Sequence, residues 1–375
     1  MKIGLNLTFI KGNINFGIGL FCKQLIEGLL INDKNIKITV FINADNAFFI
    51  EKAFRNKNIK FIKIGEKKYF NKKITNIINN FYFLKKALKN ELIDVWINPC
   101  VNLYTVLASN AININVIHDL HYKYYPQYYN FIFRKLIDMK IKKILLKSNA
   151  IVAISNYVKM DILKNFEKIN INNIIVIANP IEYNKKYNDI KEKSIINNKY
   201  ILSVNSFEEW KNQITLLKAF NLIKNKINYD LLLIGYGNPE YLYRYIHNNK
   251  LDDRVSIKQN IEEDILIEYY KNAELFINTS MFEGFGRANI EAGMMMVPVL
   301  SSTEMCLKDV SFGMLNYYEP ANDEYVLSEK ILECLENKNL RSKHILNKIK
   351  NRFLLEYNKK KIADEYINLI NNIKG

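Results

Sequence analysis

The feature that most constrains this chain of 375 residues is an alternation that runs through it twice. Short apolar runs, Lys2 to Ile10, Ile36 to Ile42, Ile59 to Ile64, Val95 to Asn98, Ile112 to Ile117 and Ala150 to Ile154, read as buried strands. Helix-like stretches such as Gly19 to Leu30 and Phe131 to Leu146 separate them. Runs that are apolar on both faces, each followed by a helix, imply a parallel sheet covered on both sides. The pattern restarts with Ile174 to Ile177, Tyr200 to Val204, Leu231 to Ile234, Val255 to Lys258, Leu275 to Asn278 and Val297 to Leu300, so a second sheet of the same class is expected. The length also exceeds the size at which one core usually stops growing. The expectation is an α/β chain of two doubly wound domains, residues 1–180 and 181–375. The polar, lysine-rich segment Ile181 to Asn198 reads as the linker, and the last helix is free to pack back on the first domain.

Two such domains facing one another leave a cleft at the carboxyl ends of their strands, where these folds place ligands. Residues that directly follow strands are therefore the candidates. After the first strand come Gly12 and then Phe16-Gly-Ile-Gly-Leu-Phe, opening a helix at about Leu20. Gly17 and Gly19 permit close backbone approach, and a helix start favours an anion. A dinucleotide fingerprint is incomplete there, because Cys22 stands where the third glycine belongs and no acid closes the next strand. The strand Ile112 to Ile117 ends in His118-Asp119-Leu120, which places His118 for ligand contact rather than in a core.

In the second half Tyr200 to Val204 ends in Asn205-Ser206, and Trp210-Lys211-Asn212 begins a helix, so that Lys211 suits a diphosphate held together with the helix dipole. The strand Leu275 to Asn278 leads into Phe282 to Gly293, FEGFGRANIEAG. Gly284 and Gly286 let the chain turn with its amides exposed, the amide of Phe285 included. A helix begins near Arg287, and Glu291 falls within its first turns. Glu283 and Glu291, eight residues apart, can accept hydrogen bonds from hydroxyls at opposite ends of one ligand, with a diphosphate lying on the amides between them. The ligand so described is a nucleotide-sugar.

Charge divides unevenly. Residues 1–180 hold 27 Lys and Arg against 11 Asp and Glu, whereas residues 181–375 hold 27 of each, so the whole formal charge of +16 sits in the first half. A basic half can meet nucleic acid, an anionic membrane or a phosphorylated substrate. Lys72, Lys73, Lys85, Lys86 and Lys89 flank an apolar stripe of Ile74, Ile77, Ile78, Phe81 and Leu88, which suits peripheral contact with an anionic membrane surface. The start of the chain reads as a buried strand rather than a secretory signal, and Val95 to His118 carries too many asparagines to span a bilayer. Cys22, Cys100, Cys306 and Cys334 are dispersed, which suits a reducing cytoplasm and no structural zinc. Nucleic-acid binding would account for the charge alone, and for none of the residues at strand ends.

Taken in order, these residues resemble the retaining glycosyltransferases of family 4, which have the GT-B fold of two Rossmann-like domains. The resemblance is carried by Gly17-Ile-Gly19, by His118-Asp119-Leu120 with Tyr125-Pro126, by Trp210-Lys211-Asn212 and by Ile234-Gly-Tyr-Gly237. Its most specific part is Glu283-Gly-Phe-Gly286 followed by Glu291, Ala292-Gly293 and Val297-Pro298-Val299. It implies that Glu283 lies against the donor sugar, Glu291 on the ribose hydroxyls, Lys211 on the diphosphate and His118 near the transferred sugar. Glu283, His118 and Lys211 are then the catalytic candidates. Gly17, Gly19, Ser206, Lys211, Gly284, Phe285, Gly286, Arg287 and Glu291 are the donor-binding ones, with the backbone of Asn260 and Ile261 at the base. Asn205 and Trp210 stand where the family often carries glycine and arginine, and Arg287 where it carries leucine.

There is no D-x-D motif, so neither a metal nor a cofactor is expected, and Lys211 with a helix dipole is expected to stabilise the leaving diphosphate. The resemblance implies retention at the anomeric carbon. The histidine motif is similar to the mannose- and rhamnose-transferring branch of bacterial polysaccharide synthesis, which favours GDP-mannose as donor, with UDP- and dTDP-sugars as alternatives. The expected acceptor is a saccharide or one linked to a polyprenyl diphosphate, and the expected place is the cytoplasm, with peripheral contact at the inner face of the cytoplasmic membrane as the option that a lipid-linked acceptor would favour.

Overall fold

Seven strands of the first half form one all-parallel sheet: β1 (Lys2–Asn6), β2 (Lys37–Asn43), β3 (Ile59–Ile64), β4 (Val95–Asn98), β5 (Ile112–Ile117), β6 (Ala150–Ala153) and β7 (Ile174–Val176). Their order is β3-β2-β1-β4-β5-β6-β7, with Ile3 opposite both Ile38 and Val95. Six further strands form a second parallel sheet: β8 (Tyr200–Val204), β9 (Asp230–Gly235), β10 (Val255–Gln259), β11 (Leu275–Asn278), β12 (Val299–Ser302) and β13 (Asn316–Tyr318), in the order β10-β9-β8-β11-β12-β13. Each order reverses once beside its first strand, as in two Rossmann-like domains. The computed structural model describes residues 1–10, 14, 17–32, 35–55, 57–65, 82–183 and 198–375. It divides into two units, Met1–Glu182 with Tyr357–Gly375, and Tyr183–Glu356. Gly12, most of the 181–198 linker and the lysine-flanked stripe up to Phe81 lie outside the described residues.

One strand changes sheets relative to the expectation. Ile174–Val176 is not the first strand of the second sheet but the edge of the first, with Ile174 opposite Ile151 and Val176 opposite Ala153. An apolar run reports that a strand is buried and says nothing of which neighbour it pairs with. β13 had no counterpart in the periodicity, because Asn-Tyr-Tyr is three residues long and half polar.

A chain of buried amides crosses the first sheet. Asn6 Nδ2 donates to Asn98 Oδ1 at 3.0 Å, Asn98 Nδ2 to Asn115 Oδ1 at 2.8 Å, and Asn115 Nδ2 to Ser148 Oγ at 2.8 Å. These side chains are buried, so each must find a partner inside the protein. The chain ties the carboxyl ends of β1 and β4 to the middle of β5. The terminal helix Lys359–Lys374 belongs to this unit. Lys359 Nζ lies 2.8 Å from Glu27 Oε2 on the helix Gly17–Asn32 and 2.6 Å from Glu182 Oε1, and the face Ile362, Ala363, Tyr366, Leu369, Ile370 is buried.

Candidate functional site

In the second unit the strand order turns back between β8 and β11, and the loops leaving their carboxyl ends meet. The β8 loop is held to its other neighbour by the Asn205 amide on the Ile234 carbonyl at 3.0 Å and the Phe207 amide on the Tyr236 carbonyl at 2.8 Å. Glu209–Lys211 then forms a single 3-10 turn. Asn212 follows in the left-handed region, φ 55°, and the helix Gln213–Ile223 starts only after it. Lys211 therefore does not open the helix as expected but precedes it. Asparagine tolerates this conformation when its side chain finds local partners. Here Nδ2 donates to the Ala321 carbonyl at 2.8 Å and Oδ1 accepts from Thr215 Oγ1 at 2.7 Å.

The same turn is pinned to the β11 loop, where Thr279 Oγ1 donates to the Lys211 carbonyl at 2.9 Å and the Met281 amide to the Trp210 carbonyl at 2.8 Å. This pairing of loops brings Lys211 Nζ to 2.7 Å from Glu283 Oε1, an oxygen that also accepts from Ser280 Oγ at 3.0 Å. Both partners keep only about one seventh of their side-chain surface, 14% and 15%. An ion pair so enclosed has fixed geometry, while one edge of each group stays open to a ligand.

Three residues on, the chain turns through Gly286 at φ 78°, and the helix Arg287–Met294 follows directly. Arg287 Nε bonds Glu291 Oε1 at 2.7 Å along one face of this helix, and Tyr270 OH donates to Glu291 Oε2 at 3.4 Å. Each of the two glutamates is thus held by a cation. Under the turn, Asn278 Nδ2 donates to Asn289 Oδ1 at 2.9 Å, Asn289 Nδ2 to Ser301 Oγ at 2.8 Å, and the Ser280 amide to Asn278 Oδ1 at 3.1 Å. All four side chains are fully buried, which makes the floor rigid.

The other expected donor-binding residues of this unit lie on the same edge. Gly284 and Phe285 belong to the turn itself, and Phe285 is buried, so its amide rather than its ring can meet a ligand. Ser206 follows β8 with its hydroxyl on Glu208 Oε2 at 2.9 Å. Asn260 and Ile261 follow β10, Asn260 at φ 54°, and Gln259 Nε2 ties that strand end to the Gly237 carbonyl at 2.8 Å. Ser280, Tyr270 and the Asn278–Asn289–Ser301 chain escaped the sequence reading. Only the position of Asn278 at a strand end hinted at them.

Gly17, Gly19 and His118 belong to the first unit. The helix begins at Gly17, not near Leu20, so both glycines lie in its first turn. The next turn carries Phe21, whose ring meets His118 edge-on at 5.0 Å. His118 Nε2 lies 2.8 Å from the Pro99 carbonyl, which can only accept, so the proton of the neutral ring is on Nε2 and the lone pair on Nδ1. Burial pushes His118 below its ordinary value of 6.5, against the bond to Pro99 and the charge of Asp119. Asp119 is itself occupied with the His121 amide at 2.9 Å. Burial, with Asp119, also pushes the Cys100 thiol up to about 12, so it is no thiolate.

The depressed histidine predicts a pH effect. A folded value below the unfolded one contributes stability above the unfolded value, which is lost as the pH falls through the folded value. His118→Gln should therefore lose less Tm than the native chain between about pH 7.5 and about pH 5. Parallel Tm-against-pH curves would mean that another group carries the titration.

Residues 184–351 match the family described as glycosyl transferases group 1. The O-antigen chain mannosyltransferase B of Escherichia coli is 28% identical over 142 residues, a match that spans 37% of this chain and 37% of that protein. Among solved structures, a glycosyltransferase from Rickettsia africae superposes with a TM-score of 0.74 at 19% identity, covering 99% of this chain and 98% of the other. HepE of Anabaena, in complex with UDP and glucose, superposes with a TM-score of 0.75 at 14% identity, covering 99% and 100%. Residues 184–351, within the unit that holds both glutamates, thus match the group 1 glycosyltransferases, and the two parallel sheets of Rossmann order are those of the GT-B fold that the solved structures share.

Proposed function

We propose that the protein transfers a hexose, with retention, from a nucleoside-diphosphate sugar to a saccharide acceptor, and that the second unit holds the donor. The observation that carries this reading is the pair of enclosed acid–cation couples, Lys211–Glu283 and Arg287–Glu291, set about the Gly286 turn at the carboxyl edge of the sheet. In this reading the diphosphate rests on the amides of Gly284 to Gly286, at the positive end of the helix Arg287–Met294, with Lys211 beside it. Glu283 accepts from a hydroxyl of the sugar and Glu291 from the ribose, while Asn260 and Ile261 border the base. Ser206, Gly17 and Gly19 are the further donor-binding residues of this reading, and His118 is the one near the transferred sugar.

The bond from the anomeric carbon to the phosphate oxygen breaks as the acceptor oxygen bonds to that carbon from the same face. The acceptor's proton passes to the departing diphosphate. Lys211 and the helix dipole stabilise the charge that develops there, the largest electrostatic demand of the step.

GDP-mannose is the favoured donor, by the resemblance of the His118-Asp119-Leu120 motif and with mannose in the name of the Escherichia coli relative, and a lipid-linked saccharide at the inner membrane surface is the favoured acceptor. The UDP bound in HepE favours the alternative of a UDP-sugar. No helix among the described residues is long and apolar enough to cross a membrane, so contact with a lipid-borne acceptor would be peripheral. Thermal shifts with GDP, UDP and dTDP, followed by product analysis with the matching sugar donors, test the reading. At about 100 times Kd the right nucleotide should add roughly 2.7 kcal/mol to the stability of the free protein. A chain stabilised by oligonucleotides and by none of the three diphosphates would be a nucleic-acid binder instead.

A further inference from the structure

The helix Phe131–Lys147 buries one face and leaves another uncovered. Ile137, Ile141, Ile144 and Leu145 are buried, whereas Ile132, Met139 and Leu146 are 69%, 69% and 59% exposed. These three recur every seven residues, which on an α-helix drifts by only about 20° per step, so they form one continuous stripe. Phe131 and Leu136 widen it, and Tyr128 stands exposed just before the helix. Single exposed apolar side chains are ordinary, but a contiguous row along one helix is not.

Lysines border the stripe on both sides. Lys135, Lys142, Lys143 and Lys147 are all exposed, and the helix holds six basic residues against one acid, Asp138. That acid is engaged elsewhere, accepting from Tyr122 OH at 2.6 Å and from Lys123 Nζ at 2.8 Å. Lys85 of the helix Leu84–Asn90 stands close enough to Lys140 to act on it: burial, with the charges of Lys143 and Lys85, pushes Lys140 down to about 8. The face they border therefore carries a concentrated positive charge.

We propose that this face, the stripe Ile132–Met139–Leu146 between Lys135, Lys142, Lys143 and Lys147 with Lys85 beside it, is an in-plane docking surface for an anionic lipid membrane. The charge sign selects the partner, and the apolar row separates a membrane from nucleic acid. A helix lying at the headgroup level sinks such a row into the acyl boundary, while lysine stems reach back to the phosphates. The inference deepens the membrane part of the proposed function, and it centres the contact on the helix Phe131–Lys147, sharing only Lys85 with the lysines of residues 72–89.

Two variants of the full chain test it, Ile132→Gln with Met139→Gln and Leu146→Gln, and Lys142→Gln with Lys143→Gln and Lys147→Gln. Each is sedimented with vesicles of phosphatidylcholine alone or mixed with phosphatidylglycerol. Nucleoside-diphosphate stabilisation serves as the folding control, and sedimentation velocity reports self-association. The native chain should bind the mixed vesicles and not the neutral ones, and each variant should lose at least about tenfold in binding with its nucleotide stabilisation unchanged. If both variants bind like the native chain while Lys72, Lys73, Lys86 and Lys89→Gln abolishes binding, this surface is wrong and the membrane reading stands. A native chain that binds neither vesicle overturns both. A native dimer that the apolar variant converts to monomer, without vesicle binding, assigns the face to a second copy and overturns the proposal.

Discussion

Glu283→Gln should lower kcat by roughly 10- to 150-fold, the equivalent of about 1.5–3 kcal/mol for a hydrogen bond to a charged group. KM for the donor should change far less. The carboxylate receives Lys211 Nζ at 2.7 Å and Ser280 Oγ at 3.0 Å on one oxygen, leaving the other for a substrate hydroxyl. Glutamine keeps the shape and can still accept from Ser280, but it no longer neutralises the enclosed lysine. Lys211 then carries a charge with no acid beside it and binds the ground-state diphosphate more strongly, which offsets part of the lost sugar contact in KM and none of it in kcat. Because the two side chains act as one unit, Lys211→Ala in the Glu283→Gln background should cost less than the product of the single effects. Steady-state kinetics of the two single variants and the double variant decide this. Full turnover in Glu283→Gln would show that the transferred sugar does not lie against this carboxylate.

Gly235→Ala should destabilise the second unit by about 3 kcal/mol or more, above the ordinary range for overpacking. A Cβ at Gly235 would stand 1.9 Å from the Asn205 carbonyl oxygen, and an oxygen of the main chain cannot swing aside as a side chain would. Relief requires β8 and β9 to part just where the Asn205 amide meets the Ile234 carbonyl and the Phe207 amide the Tyr236 carbonyl. For a unit of this size each kcal/mol moves Tm by about 2–4 °C, so a fall of roughly 6–12 °C is expected by calorimetry. The loop that leaves β8 carries Ser206 and Lys211, so nucleoside-diphosphate stabilisation should weaken with it. A native Tm in this variant would mean that the two strand ends are slack and that the loop is positioned from β11 alone.

The difference between these predictions mirrors how far each feature could be read along the chain. Arg287 and Glu291 are four residues apart on a helix, a spacing that by itself sets two side chains side by side. The turn at Gly286 was also legible, since a glycine between a strand and a helix start is the residue that can take a positive φ. The Lys211–Glu283 couple was not legible as a couple, because 72 residues separate its members and two loops had to be stitched together by Thr279 and Met281 before they met. Nor could the sequence show that Lys211 precedes its helix, a displacement that depends on Asn212 finding the Ala321 carbonyl from more than a hundred residues away.

Backbone periodicity is a local property, and it was enough to determined the alternation of strand and helix, hence two parallel sheets, and to put the candidate residues at strand ends. Sheet membership is not local: Ile174–Val176 reads as a strand in any sheet and became the edge of the first only by pairing with β6. The face that the helix Phe131–Lys147 keeps exposed is of the same kind. Its apolar positions lie all round the helix, and only tertiary packing decided that Ile137, Ile141 and Ile144 would be covered while Ile132, Met139 and Leu146 would face outward. A strand or a turn follows from the conformations open to a few neighbouring residues, whereas a partner or a covered face follows from which distant surfaces close against each other.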